Sequence, residues 1–381
     1  MSRSSSINQA LNQAPLGAAL LAVVFLTACT GGPEVQPEGR WFKGNTHAHT
    51  VLSGHGDTSP DSVARWYLDR DYHFLILSEH NQFIRPDSVD LPPDRRDDFI
   101  LIPGEEVTGH QVIHTTAMNV DGLVDWTADH DHKHEIIQSH VDSTIHAGGT
   151  PILNHPNFRW AVEASDIRPV RRLHMFELYN GHPEVHNFGD SAHVSIEDMW
   201  DELLTDGMLI YGVSSDDAHE FRTWSTDVSN PGRGWVMVRS DSLTPTAITR
   251  AMRGGRFYAT SGVILDDVRR TSDYALRVDE EATRRAMGSP YLTGHHVEDG
   301  EPGFELQFIG PGGNVLRRVR GTEAAYAVPK DLAYVRAKVI YRRLRSGGGL
   351  EAFYAWTQPF FTDERAELAR AYEEDGYLGA P

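Results

Sequence analysis

Residues 41–50 read WFKGNTHAHT, an apolar run that ends in two histidines separated by one alanine. The same pairing of an apolar run with a metal-competent side chain returns at His73–His80 (HFLILSEH), Phe99–Glu106 (FILIPGEE), Thr150–His155 (TPILNH) and Met208–His219 (MLIYGVSSDDAH). Seven runs have strand character: Trp41–Thr46, His73–Ser78, Phe99–Pro103, Val112–Asn119, Thr150–Asn154, Met175–Tyr179 and Met208–Val213. Helical stretches lie between them. Ser59 and Pro60 open one over Asp61–Arg70, Ile137, Val141 and Ile145 recur every four residues in another that Gly148 and Gly149 stop, and Ser195–Leu204 is a third. This alternation predicts an α/β protein with a parallel sheet and crossover helices. His47 and His49 end the first run, His80 the second, Glu106 the third and His155 the fifth. His114 lies in the fourth, and Asp217 and His219 follow the seventh. One face of a closed barrel lets all of them converge, whereas an open sheet offers a crevice only at a switch point, so the expectation is a barrel.

Composition narrows the chemistry. The 381 residues carry 35 Lys plus Arg against 54 Asp plus Glu, a formal charge of -19, with 40% hydrophobic and 23% charged residues. That is a globular balance with ample chain for a core. Residues 31–270 hold 20 basic and 37 acidic side chains, and no basic footprint exists for phosphate neutralisation, which excludes duplex nucleic acid as a partner. A single cysteine, Cys29, rules out an internal disulfide and any zinc site with two or more thiolates from this chain. Of 20 histidines, 18 fall between His47 and His219, so a bound metal would be held by imidazole and carboxylate.

The first 29 residues read as an address. Arg3 precedes Leu16–Ala28 (LGAALLAVVFLTA), an uncharged stretch of 13 residues, shorter than the roughly 20 a membrane span needs and the length of a secretory apolar region. Leu26-Thr27-Ala28-Cys29 resembles the bacterial lipobox, which implies lipidation of Cys29 and a membrane tether through that lipid; an uncleaved short anchor is the alternative. Both place the body outside the cytoplasm, in the periplasm or at the cell surface, with residues 30–40 as a flexible link.

His47 and His49 are two apart, so in an extended strand both rings project to one side and can share an ion. Asp217 and His219 repeat the spacing with one carboxylate. Together with His80 in SEHN, Glu106 in PGEEVTG and His155 in NHP, these segments resemble the polymerase and histidinol phosphatase (PHP) superfamily of metal-dependent hydrolases over roughly residues 41–262. The resemblance implies a distorted seven-stranded β/α (TIM-like) barrel and three adjacent divalent ions, zinc, manganese or iron. It would set His47, His49, Glu106 and Asp217 around the first, Glu106, His114 and His155 around the second, and His55, His80 and His219 around the third. Glu106, Asp217 and His155 would then stand at the reacting atoms. Glu79 and Asn45 occupy positions where that family commonly has Asp, which bears on ligand orientation rather than on metal binding. Glu105 competes with Glu106 for the bridging role.

Arg253–Gly262 (RGGRFYATSG) and the strand-rich tail look like the secreted, carbaryl-hydrolase-like branch of that superfamily. The expected organisation is a metallohydrolase barrel over 41–270, a small β-sandwich-like module over 271–361 and a tail over 362–381. Gly303–Ile309 and Val315–Arg320 read as a hairpin. Arg159 and Arg222, three or four residues past ligands, could bind an anionic substrate or lie free on the surface; Glu177 and Asn180 could orient ligands. His130, His132 and His134 read as a solvated loop, His140 and His146 as structural, and His295 and His296 as surface residues. The expected activity is hydrolysis of a small anionic or ester substrate, foremost a phosphate ester, by a hydroxide bridging the metal ions. A carboxylic or carbamic ester or amide hydrolase using the same site, and a non-catalytic metal-binding lipoprotein, are the alternatives.

Overall fold

A computed structural model describes residues 39–126, 130–345 and 347–376; the leader, Cys29, most of the tether and the last five residues lie outside the described residues. The first half of the chain carries β1 (Arg40–Asn45), α1 (Pro60–Leu68), β2 (Phe74–Leu75), β3 (Ile100–Leu101), β4 (Gly104–Thr108), β5 (His114–Met118), α2 (Lys133–His146), β6 (Thr150–Leu153), α3 (Ala164–Ile167) and β7 (Met175–Asn180). Then follow α4 (Ile196–Thr205), β8 (Tyr211–Ser215), β9 (Trp235–Ser240), α5 (Pro245–Arg253) and β10 (Phe257–Thr260). The C-terminal part adds β11 (Leu265–Arg269), β12 (Asp273–Val278), α6 (Glu280–Ala286), β13 (His295–Val297), β14 (Gly303–Gly310), β15 (Asn314–Arg320), β16 (Glu323–Ala327), β17 (Tyr334–Leu344), β18 (Leu350–Phe361) and α7 (Arg365–Asp375).

Local chemistry accounts for several boundaries. Pro60 occupies the first turn of α1, where its missing N–H costs nothing. The Ser195 hydroxyl accepts from the Asp198 amide and caps α4, and Thr244 caps α5 in the same way. β6, β7 and β8 are buried along their whole length, as befits strands covered on both faces.

The expected seven-stranded barrel is not what forms. Among the described residues the strands lie in three sheets, and none closes on itself. One has ten strands, β15-β14-β17-β18-β10-β9-β1-β2-β3 with β13 also on β18; another runs β4-β5-β6-β7-β8; the third is β11-β12-β16. Connection length explains the departure. β4 and β5 are separated by only five residues, too few for a crossover, so they form an antiparallel hairpin. β5 and β6 are also antiparallel, despite α2 between them, and β1 meets β9 antiparallel. Parallel pairing survives in β1-β2-β3 and β6-β7-β8 alone among the named strands. β2 and β3 are two residues long, and the sheet that holds them meets the β4–β8 sheet through two single parallel bridges, His80 with Glu106 and Ala48 with Ala218.

The β-sandwich-like module is not a separate sheet system either. β14, β15, β17 and β18 continue the sheet that contains β1, while β11, β12 and β16 cover one face of it over a core that includes Leu276, Leu306, Phe308, Val339 and Phe353. The described residues form one compact unit. β14 and β15 make the expected hairpin, and α7 lies in the tail with Tyr372 in the main core.

Candidate metal centre

The two bridges that join the sheets sit at the histidine-rich loops. Beyond β1, Asn45 Oδ1 accepts the His47 amide at 2.9 Å while its Nδ2 donates to the Gly234 carbonyl at 3.0 Å, so this Asn anchors the turn that exposes the HxH pair. The His49 amide donates to Ala218 O and the Asp217 amide to His47 O, which locks the opening and closing motifs side by side. Glu106 lies in the middle of β4 opposite Thr116, not at the end of a third run. His155 follows β6 and Asp217 follows β8, both non-glycine residues at positive φ, 27° and 49°. Backbone held in that region costs about 1–3 kcal/mol and persists where the surroundings over-determine it.

All nine expected donors come together. His47 Nε2 is 3.0 Å from His49 Nε2, 3.2 Å from Glu106 Oε1 and 3.2 Å from Asp217 Oδ1. Glu106 also faces His114 Nδ1 at 3.1 Å, His155 Nε2 at 3.3 Å and His80 Nδ1 at 2.7 Å. His55 Nε2 lies 3.2 Å from His80 Nε2, and the His219 ring stacks on His49 with centroids 4.3 Å apart. Four groups have donor atoms mutually close enough to hold an ion: His47, His49 and Glu106; His47, His155 and Asp217; His80, Glu106 and His114; His49, His80 and His219. The membership differs in detail from the trinuclear partition, since His80 also reaches Glu106 and His155 groups with Asp217.

The backs of the rings carry the stronger argument. His47 Nδ1 is 2.8 Å from Glu177 Oε1, His55 Nδ1 is 3.1 Å from the Ser53 carbonyl, and His219 Nδ1 is 2.9 Å from the Asp217 carbonyl. His49 Nδ1 is 3.0 Å from Ser53 Oγ, whose proton goes to Glu79 Oε2, so the hydroxyl must accept from the ring. Each contact places a ring proton on Nδ1 and turns Nε2 inward, where the neutral ring presents a lone pair. A metal centre needs that tautomer, and outward hydrogen bonds of this kind fix it. Glu106 Oε2 is buried against His80 Nδ1 at 2.7 Å and His49 Nε2 at 3.6 Å, positions from which an ion could replace a ring proton, and His155 Nδ1 is buried without a hydrogen-bond partner.

Electrostatics agrees. Burial opposes ionisation of Glu106 and Asp217, yet the facing imidazoles, His114 and His47 for the first and His47, His49 and His219 for the second, hold both well below the usual carboxylate range. Burial pushes His219 down to about 4 and, with His219 adjacent, His49 well below its ordinary value, so both rings are neutral and ligand-competent. His47 moves the other way: burial opposes its charge, but Asp217, Glu106 and Glu177 outweigh it. The buried His, Glu and Asp groups can hold a metal ion.

No protein-family model matches the chain, and a search of curated proteins finds no match.

The remaining candidates separate cleanly. Glu105 points away from the cluster, its Oε1 accepting from the Val124 amide; burial pushes its carboxyl up to about 7, and period-two alternation leaves Glu106 as the carboxylate at the centre. Glu177 joins two ligand loops, accepting also from the His155 amide at 2.8 Å, and Asn180 Nδ2 donates to it at 2.8 Å. Arg159, at φ 53°, places its guanidinium over Phe158, whose ring contacts His155 edge-on, while the Arg222 amide donates to Asp57. Neither guanidinium forms an ion pair among the described residues. His130, His132 and His296 are exposed, His134 and His295 partly so, and His140 is buried behind β5 with Nδ1 3.3 Å from Thr115 Oγ1. Sequence reasoning missed Ser53, Thr108 and Asn154, the last donating to Glu106 Oε1 at 2.8 Å, and it missed His182. The His182 ring stands edge-on to His219 at 5.7 Å, two residues past the end of β7. That strand-end position was the available signal.

Proposed function

We propose that this chain is a metal-dependent hydrolase of ester bonds, a phosphoesterase before all else, that holds three adjacent divalent ions of zinc, manganese or iron and is tethered by lipid at Cys29 outside the cytoplasm. The observation that supports this most is the set of inward-facing Nε2 atoms on His47, His49, His55 and His219 around Glu106 and Asp217, with their opposite nitrogens already committed. Ions bound there would acidify water and stabilise negative charge developing on a substrate oxygen. The residues themselves supply the cage and its orientation. Glu106 and Asp217 contribute two negative charges among seven imidazoles, so the loaded cavity is cationic within an acidic protein and favours an anionic substrate. Phe158 and His182, stacked edge-on at 5.6 Å, offer an apolar and a hydrogen-bonding group beside the ligands His155 and His219. His182 Nδ1 accepts from the Glu184 amide at 3.2 Å, which leaves Nε2–H free to donate.

The test is a panel of 4-nitrophenyl phosphate, bis(4-nitrophenyl) phosphate, 4-nitrophenyl acetate and an aryl N-methylcarbamate on protein loaded with each metal. Phosphate turnover at least about a hundredfold above that of a His47→Ala protein, with metal content falling in parallel, is the expected result. Carbonyl ester turnover exceeding phosphate turnover by a similar factor overturns the phosphoesterase assignment in favour of a carbonyl hydrolase. Stoichiometric metal without turnover on any substrate leaves a metal-binding lipoprotein.

A further inference from the structure

A cavity of about 400 Å³ lies behind α1, walled by Trp66, Tyr72, Trp235 and Tyr291, with none of the nine metal-centre donors in its lining. Three cations line it, Lys43, Arg70 and Arg285, the last of them paired with Glu281. The Lys43 ammonium sits 3.8 Å from the centre of the Tyr72 ring and 4.7 Å from that of Trp235, with the Arg70 carbonyl at 3.3 Å as its hydrogen-bond acceptor. The Arg70 guanidinium lies 4.2 Å from the Trp66 ring and 4.9 Å from that of Tyr291, donating to the Trp66 carbonyl and the Tyr291 hydroxyl. Among the described residues neither Lys43 nor Arg70 has a carboxylate within ion-pair distance, although the chain as a whole carries a charge of -19. Asp69 and Asp71 also line the cavity, but both are exposed.

The indole nitrogens of Trp66 and Trp235 and the hydroxyl of Tyr72 are buried without a hydrogen-bond partner, and an unmade bond of that kind costs about 1–3 kcal/mol. Burial pushes the Lys43 ammonium down to about 8, against the pull of Asp216 and Asp71, which is the signature of a cation short of a counter-charge. Ring faces accept a cation but leave it electrostatically incomplete.

We propose that this cavity binds a small planar organic monoanion, an aromatic monocarboxylate, with its carboxylate at Lys43 and Arg70 and its ring against the aromatic walls. A dianion is disfavoured by Asp69 and Asp71. A neutral ring would leave both cations as they are, and an inorganic anion would forgo the ring contacts. The cavity shares none of the nine donors of the metal centre. Its wall includes Gly232, whose amide donates to Asp216 at 2.9 Å next to the ligand Asp217, so an occupant would touch the loop that supports the centre.

The experiment is calorimetric titration of the metal-loaded protein with benzoate, benzamide and chloride, with tryptophan fluorescence followed in parallel. Saturable binding of one benzoate is expected, with benzamide and chloride weaker by about tenfold or more. The His47→Ala protein should bind benzoate unchanged; loss there would put benzoate on the metal ions and overturn the proposal. Lys43→Met should weaken benzoate by about tenfold, and Tyr291→Ala, which removes one wall from a half-buried position, by several-fold. Should Lys43→Met fail to fold, Tyr291→Ala decides. Equal binding of benzoate and benzamide, wild-type affinity in the variants, or no saturation up to about 10 mM ligand each refute the assignment.

Discussion

Glu177 is the residue on which the geometry of two ligand loops depends, since one of its oxygens faces His47 Nδ1 and the other accepts the His155 amide. It contributes no donor to any of the four ion-holding groups, so its effect on metal passes through the orientation of His47 and through the positive φ of His155. Removing such an orienting partner typically costs 10–100-fold in metal affinity. Glu177→Ala should therefore weaken metal binding by about that factor in a competitive chelator titration, while saturating metal restores most of the occupancy. Unchanged affinity would mean that the ring of His47 is fixed by packing alone. Ser53 works by the same logic on a smaller scale, linking Glu79 to the back of His49. Neither Ser53 nor Asn154 could be picked out of the sequence, because small polar residues are common in loops and only the tertiary contact gives them a role. Eight of the nine donors were read from the ends and neighbours of apolar runs, although Glu106 sits inside β4, and His55 entered only through the family resemblance.

At the scale of elements, α4 shows how the C-terminal strands are fastened to the part that carries the candidate metal centre. Arg336 of β17 is buried, its Nε donating to Asp201 at 2.7 Å and its Nη2 to Glu197 at 2.9 Å, and Trp356 of β18 donates to Glu197 at 3.0 Å. Burial opposes the charge on Glu197, but Lys338 and Arg336 hold its carboxyl down to about 2, against a usual value of 4.5. A carboxylate depressed in the folded state stabilises fully above its unfolded value, and that contribution is lost as pH falls from about 4.5 to about 2. Burial raises Asp201, which works in the opposite sense and tempers the effect. Wild type should exceed Glu197→Gln by about 1–3 kcal/mol in urea unfolding near neutrality, and the gap should close as pH drops through that window. A gap that is constant with pH would assign the loss to packing. Sequence periodicity located β1, β6, β7, β8, α2 and α4 within a few residues, because buried strands and amphipathic helices write their period into the chain. It missed β4, whose GEEVT carries two acids and a glycine in place of an apolar run. It also predicted a barrel, because a run of apolar residues specifies a strand but not its direction, and pairings such as β10 with β18 join segments about a hundred residues apart.

For the molecule as a whole, the centre lies where two sheets meet through two single backbone bridges, beside a shared apolar core that includes Phe42, Val236 and Phe257 from one sheet and Phe176, Leu178 and Val213 from the other. Without an ion, buried Glu106 and Asp217 rely on protonated imidazoles such as His47 for charge balance. A ligand that binds only the folded state stabilises it by about 4 kcal/mol at a thousandfold excess over its Kd. For a unit of this size that corresponds to a fall in Tm of about 5–10 °C when a chelator removes the metal. Hydrogen exchange should rise together in residues 45–58, 104–118, 154–160 and 216–221, which bear eight of the nine donors, while β12 and β16 at the far sheet stay protected. His47→Ala should start from a lowered Tm and show a much smaller further fall with chelator, because that ring belongs to two of the four ion-holding groups. If chelation leaves both the Tm and the exchange of those four segments unchanged, the sheets are joined by side-chain packing and the histidines do not act as a metal-held seam.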